Sequence, residues 1–166
     1  MENQLAKEEY SFISIQDKEF ITAFDKAINE IGYSSGCNIG SGYCWGRYMI
    51  IYAKTGVKDK KVAARIYIRE NSILLRLFFS NIDKHREYIE NAADFILQPF
   101  INEHGDCSHC HNEKEGLCRF RKTYTISNRF IEKCNGFVFE FANPDTSKIP
   151  DYIEILKEFY QKRKGG

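Results

Sequence analysis

KVAARIYIRENSILLRLFFS, residues 61–80 of a 166-residue chain, decides the fold class. Val62, Ala64, Ile66 and Ile68 alternate with Ala63, Arg65, Tyr67 and Arg69, the two-residue period of a strand with one apolar and one mixed face. Ser72 to Ser80 repeats the β-branched and aromatic content. Only Glu70 and Asn71 separate the two runs, a length that demands a tight hairpin. Arg47 to Lys54 adds a third run upstream, so the three read as an antiparallel meander covered mainly on one side.

Working outward from it, Phe20, Ile21, Phe24, Ala27, Ile28 and Ile31 share one face of a helix expected from Asp17 to Ile31, stopped by Gly32. Tyr10 to Ile15 carries β-formers and is expected as a short strand before that helix. Downstream, Asp83 is placed to cap a helix through Gln98, with Ile89, Ala92, Ala93 and Ile96 on one face and Pro99 just past its end. Lys122 to Ser127 and Phe130 to Cys134 are β-like and joined through Asn128 and Arg129. Asn135 and Gly136 then signal a second two-residue hairpin into Phe137 to Phe141. A last helix starts near Pro150 and carries Ile153, Leu156 and Tyr160 on one face. The expectation is one α+β domain over residues 1–166, with an antiparallel sheet of five or six strands in two meanders and three helices. The cysteine-rich loop and hairpin occupy 101–142 within it, and 161–166 forms a basic, flexible tail.

Composition limits the function classes. Twenty-four basic against 23 acidic residues leave a net charge of +1, which supplies no global field for nucleic acid or an anionic membrane. Nucleic-acid binding would need a local patch. No apolar run reaches the roughly 18 to 20 residues of a membrane-spanning helix. Met1 to Tyr10 is charged and has no apolar core, unlike a secretory signal. The expected location is cytoplasmic, where six cysteines serve as thiols or metal ligands rather than as a disulfide framework.

Four of those cysteines, Cys107, Cys110, Cys118 and Cys134, are spaced C-x2-C-x7-C-x15-C. A C-x2-C pair gives two ligands from one turn, and four thiolates suit tetrahedral zinc with no position left for water, which marks a structural site. The hairpin expected between Cys118 and Cys134 would return the chain to the end it left. His104, His109 and His111 are candidates to replace one thiolate. Another metal, an iron-sulfur centre and unmetallated thiols are the competing readings. Cys107 and Cys110 also have the C-x-x-C form of a thiol oxidoreductase, but they sit in a polar loop after a helix, where that motif should follow a strand and open a helix.

Other constellations are weaker. Gly36, Gly40, Gly42 and Gly46 punctuate a stretch that lacks the Gly-Lys-Ser/Thr ending of a phosphate loop and leads into a strand, so it reads as a turn-rich connection, with Tyr43 and Trp45 as its natural ligand contacts. Arg65, Tyr67, Arg69, Arg76 and Phe78 could share the mixed sheet face and bind an anion or single-stranded nucleic acid, although a solvated or covered face has the same pattern. Arg119, Arg121 and Lys122 form a short basic patch beside the cysteines. No catalytic triad, zinc-protease helix or paired-carboxylate motif is present.

The segments FFSNIDKHREYIE, CSHC, KTYTI and EKCNGF, within residues 40 to 160, resemble an uncharacterised family of small bacterial α+β proteins with a four-cysteine cluster. The resemblance implies a bacterial, cytoplasmic protein and transfers no catalytic residue or substrate. The sequence therefore points to a non-catalytic domain that binds a small molecule or protein partner and is stapled by structural zinc. A nucleic-acid-associated regulatory protein and a thiol-dependent redox enzyme are the alternatives.

Overall fold

The 61–80 hairpin forms the centre of a six-stranded antiparallel sheet in the computed structural model, which describes residues 1–56, 58, 61–102, 121–134 and 136–160. Its strands are β1 (Tyr33–Ser34), β2 (Gly40–Ser41), β3 (Tyr48–Lys54), β4 (Val62–Ile68), β5 (Ile73–Phe78) and β8 (Val138–Ala142), whereas β6 (Lys122–Ile126) and β7 (Arg129–Lys133) make a separate ladder. The helices are α1 (Glu2–Leu5), α2 (Ile15–Glu30), α3 (Arg86–Asn91), α4 (Asp94–Ile101) and α5 (Ile149–Phe159). The sheet order is β1-β3-β4-β5-β8, with β2 also on β3. The fold is α+β, and the chain divides into two compact units, residues 1–78 with those from 140 onward, and residues 79–139.

In the first unit the β4–β5 hairpin closes as its spacing requires. Ile68 pairs with Ile73, and the Arg69 N–H donates to the Ser72 carbonyl at 2.9 Å around Glu70 and Asn71. Ile50, Tyr52, Ile66, Ile68, Leu75 and Leu77 are fully buried with Phe20, Ile21, Phe24 and Ile28 of α2. Phe24 meets the Phe20 ring at 5.7 Å and the Tyr52 ring at 5.4 Å, and Tyr152 of α5 meets Phe20 and Phe141. The Ser14 hydroxyl caps α2 by accepting from the Asp17 N–H at 3.1 Å, and Gly32 ends the turn after it at a φ of 94°.

Two expectations fail here. Residues 10–15 are not a strand: Glu8–Tyr10 is a 3-10 turn, and buried Tyr10 and Ile13 are three residues apart, a helical rather than a pleated spacing. Nor is the sheet covered on one side only. Every β5 residue from Ile73 to Leu77 is buried, as is Tyr67 on the mixed face of β4. On that face Arg76 lies against the Trp45 and Tyr67 rings and Arg65 against the Phe78 ring.

In the second unit, Phe79, Phe100 and Phe139 form an aromatic centre, with Phe100 and Phe139 stacked at 4.1 Å. The Tyr124 hydroxyl donates to the Phe100 carbonyl. Lys133 is 1 % exposed, and its ammonium donates to the Pro99 carbonyl at 3.1 Å and lies 3.7 Å from the centre of the Phe139 ring. The single helix expected from Asp83 to Gln98 is instead a 3-10 turn (Ile82–His85), α3 and α4, broken where Ala92 and Ala93 are extended. Pro99 lies inside α4 rather than past its end. Asp83 caps no helix. Its carboxylate accepts from the Thr125 N–H at 3.0 Å, and Glu90 accepts from the Ser127 N–H at 2.6 Å, so acidic side chains satisfy donors along β6.

The β6–β7 hairpin forms, with its turn at Ser127 and Asn128, whose φ values of 51° and 60° suit a primed two-residue turn. The expected Asn135–Gly136 hairpin does not: β7 stays with β6, and β8 joins the other sheet. Gly136 has a different reason to be glycine, since a Cβ there would lie 2.4 Å from the Lys122 Cβ.

Candidate functional site

Strand register places Arg65 directly opposite Arg76 on the mixed face of β4 and β5. Like charges so placed repel. Glu140 of β8 answers one of them, meeting the Arg76 guanidinium at 2.5 Å. Arg76 is 5 % exposed and lies 4.0 Å from the centre of the Trp45 ring and 5.0 Å from that of Tyr67. Arg65 lies 5.2 Å from the Phe78 ring centre and donates to the Tyr67 hydroxyl at 3.3 Å. No carboxylate among the described residues pairs with Arg65. The Nε atoms of both arginines are buried without a hydrogen-bond partner. Among the described residues Arg76 thus holds the carboxylate beneath the Trp45 and Tyr67 rings, while half-buried Arg65 faces it without one.

The connection between β2 and β3 holds Trp45 over Arg76. The Trp45 N–H donates to the Gly42 carbonyl at 3.1 Å and the Arg47 N–H to the Ile68 carbonyl at 2.8 Å, while Arg69 Nε donates to the Trp45 carbonyl at 3.0 Å. Glycine is obligatory at Gly42, where a Cβ would come 2.2 Å from the Gly46 carbonyl oxygen. The glycine-rich stretch is therefore a tight connection that presents two rings, Trp45 at 47 % and Tyr43 at 80 % exposure.

Beside it lies an open groove of about 700 Å³ with Met49, Ile51 and Ala53 among its lining residues, Ser35 and Asn38 on its wall and Tyr43 at its rim. Ile51 pairs across the sheet with Arg65, so the groove adjoins the arginines. Its wall is anchored from below. Buried Asp25 accepts from Ser35 Oγ at 3.3 Å and from the Asn29 side chain at 3.3 Å, and Ser35 in turn accepts from the Cys37 N–H at 3.2 Å. The Tyr52 hydroxyl is buried beside this network without closing a hydrogen bond, and burial first, then the Asp25 carboxylate, push its pKa well above the ordinary value.

Of the residues singled out by sequence, Trp45, Arg65, Tyr67 and Arg76 form one stack, with Arg69 tied to the Trp45 backbone and Tyr43 turned to the groove. Glu140, Ile51 and Asp25 escape a sequence reading. Glu140 between Phe139 and Phe141 carries the alternation of a strand, but its meaning depends on knowing that β8 neighbours β5. Of the basic patch, Arg121 pairs with Glu132 at 3.1 Å and Lys122 sits 4.7 Å from the Phe137 ring centre, while Arg119 lies outside the described residues.

Cys107, Cys110 and Cys118, and with them His104, His109, His111 and the C-x-x-C motif, also lie outside the described residues. Cys134 is half-buried directly after β7, at the end of the ladder where Lys133 pairs with Lys122. Among the described residues there is no group of three or more His, Cys, Asp or Glu side chains able to hold a metal ion. Cys37 and Cys44 are exposed thiols. No helix of the described residues is long and apolar enough to cross a membrane. Comparison with protein-family models, curated proteins and solved structures finds no match.

Proposed function

We propose that this chain is a non-catalytic binding domain for a small anionic ligand with a flat or apolar body, braced by structural zinc on Cys107, Cys110, Cys118 and Cys134. The observation that carries the binding reading is the Arg65–Arg76 pair, two facing guanidinium groups of which Arg76 alone meets a carboxylate among the described residues, that of Glu140 on its far side. A half-buried charge without a counter-ion is unfavourable, and an anion on Arg65 offsets it through charge-assisted hydrogen bonds to donors such as the orphaned, buried Nε. The adjoining groove of about 700 Å³ is of small-molecule size and takes the body of the ligand, with Trp45 and Tyr43 as stacking surfaces. Nothing in this arrangement supplies a nucleophile or an acid-base pair, so the reading is recognition rather than turnover. The zinc reading rests on the cysteine spacing and on the β6–β7 hairpin, which returns Cys134 to the end of the ladder that the chain enters after Cys118.

Trp45, the single tryptophan of the chain, reports on the site directly. Anilinonaphthalene sulfonate and its uncharged parent phenylnaphthylamine share a body and differ by one anionic group. Energy transfer from Trp45 is expected to give a dissociation constant about tenfold lower for the sulfonate, a preference lost in Arg65→Met. Equal binding of the two probes rejects the anion site. Elemental analysis of protein purified without added metal is expected to give about one zinc per chain, and folded, metal-free protein rejects the brace.

A further inference from the structure

The second unit holds a cavity of about 370 Å³ between the turn that opens α3 and the start of β6, lined by Ser80, Asn81, Lys84, Lys122 and Thr123 among others. We propose that it is a binding site for a phosphoryl group, carried as free phosphate or as a small phosphomonoester. Lys84 and Lys122 reach it from two different elements, and no carboxylate among the described residues pairs with either. Asp83 is the one acidic residue of the lining among the described residues, and its Oδ1 is engaged by the Thr125 N–H at 3.0 Å and by Arg86 at 2.9 Å. Those bonds hold its carboxyl below the ordinary range, the Thr125 backbone bond contributing most. The carboxylate is therefore already partnered, and the two ammonium groups keep their charge for a ligand.

Lys122 is also held in place. Its stem runs against Gly136, where a Cβ would come 2.4 Å from the Lys122 Cβ and 2.9 Å from its Cγ, and its ammonium lies 4.7 Å from the Phe137 ring centre. A fixed lysine loses less conformational entropy on binding than a free surface lysine. Two ammonium groups, two hydroxyls and an amide around one concavity suit an anion with several acceptor oxygens. A nucleic-acid strand needs a row of such contacts along a groove. Arg121, next to Lys122 in sequence, is instead engaged with Glu132.

Limited acetylation of the whole protein, read by mass spectrometry at each lysine, tests the site. The arms are inorganic phosphate, phenyl phosphate, a single-stranded oligonucleotide and chloride at matched ionic strength, with exposed Lys26 of α2 as internal control. Saturating phosphate or phenyl phosphate is expected to slow labelling of Lys84 and Lys122 together by about fivefold while Lys26 is unchanged. Stronger protection by phenyl phosphate assigns a phosphomonoester, and equal protection assigns free phosphate. Lys84→Gln, at an exposed position that the fold does not need, is expected to raise the concentration for half-protection of Lys122 about tenfold. The proposal is overturned if phosphate slows the two lysines no more than Lys26. It is equally overturned if only the oligonucleotide protects them, or if Lys84→Gln leaves the protection of Lys122 unchanged.

Discussion

Replacing Glu140 by glutamine removes one negative charge and almost no volume, and leaves Arg65 and Arg76 facing each other with no counter-charge among the described residues. Breaking a fully buried ion pair costs about 3–5 kcal/mol. Arg76 meets that condition at 7 % side-chain exposure, but Glu140 is 44 % exposed, so water screens one partner. Discounting for that screening leaves about 2 kcal/mol. For a chain of this length that corresponds to a melting temperature lower by about 4–8 °C. Trp45 emission follows the transition, because the indole lies on Arg76 and is the only one in the chain. The decisive measurement is a double-mutant cycle with Arg65→Met. If charge repulsion is the cause, Arg65→Met is neutral to mildly stabilising in the wild-type background and restores most of the loss in Glu140→Gln. Equal effects of Arg65→Met in the two backgrounds, or an unchanged melting temperature in Glu140→Gln, would mean that the guanidinium groups do not feel each other and would overturn charge repulsion as the cause.

Three further outcomes are expected. Phe24→Ala deletes a fully buried ring that contacts Phe20 and Tyr52, and urea unfolding is expected to show a loss of about 3–5 kcal/mol. Gly42→Ala forces a methyl group onto the Gly46 carbonyl, so the β2–β3 connection must open at a cost of about 1–3 kcal/mol, with Trp45 emission shifting to the red as the indole leaves Arg76 and Tyr67. Alkaline pH is the third test. Burial, aided by Asp145 and Asp151, pushes Tyr152 from 10.0 to about 12, and burial raises Tyr160 further while its hydroxyl donates to the Phe78 carbonyl. The folded state then keeps protons that the unfolded state loses, so this contribution is complete below pH 10 and falls as pH rises from 10 through 12. The urea midpoint is expected to drop between pH 9 and pH 11, and to drop less in Tyr160→Phe.

The period of two in 61–80 made the central hairpin legible because side-chain alternation is a local property, set by the pleat and two flanking residues. The same holds for α2, whose apolar stripe is written within sixteen residues and whose glycine stop follows just after them. Where the reading failed, the deciding interaction was not local. Asp83 has the composition of a cap, yet its acceptor is taken by the Thr125 N–H, forty-two residues away. Asn135–Gly136 has the composition of a hairpin, yet the glycine answers to the Lys122 side chain. At the site, Trp45, Tyr67, Arg65 and Arg76 were visible as residues on alternating positions. That Arg65 faces Arg76 follows from the hairpin register alone. That Glu140 answers Arg76 depends on β8 lying beside β5, which no periodicity encodes.

Net charge and site charge are different quantities in this chain, and the difference bears on what it can bind. A balance of +1 over 166 residues argues against a strand of nucleic acid or a charged membrane, whose attraction acts over a Debye length and needs a field. It says nothing of a pair of guanidinium groups brought together by strand register and roofed by indole and phenol rings. There the charge acts over a few ångströms, in a medium that screens poorly, and one carboxylate more or less decides the sign. The aromatic richness of the sequence has the same double meaning. Phe20, Phe24 and Phe141 fill a core, whereas Trp45, Tyr67 and Phe78 cover cations. On the sheet, strand position separates the two roles: Phe141 of β8 meets Tyr152 in the core, and Phe78 of β5 lies against Arg65.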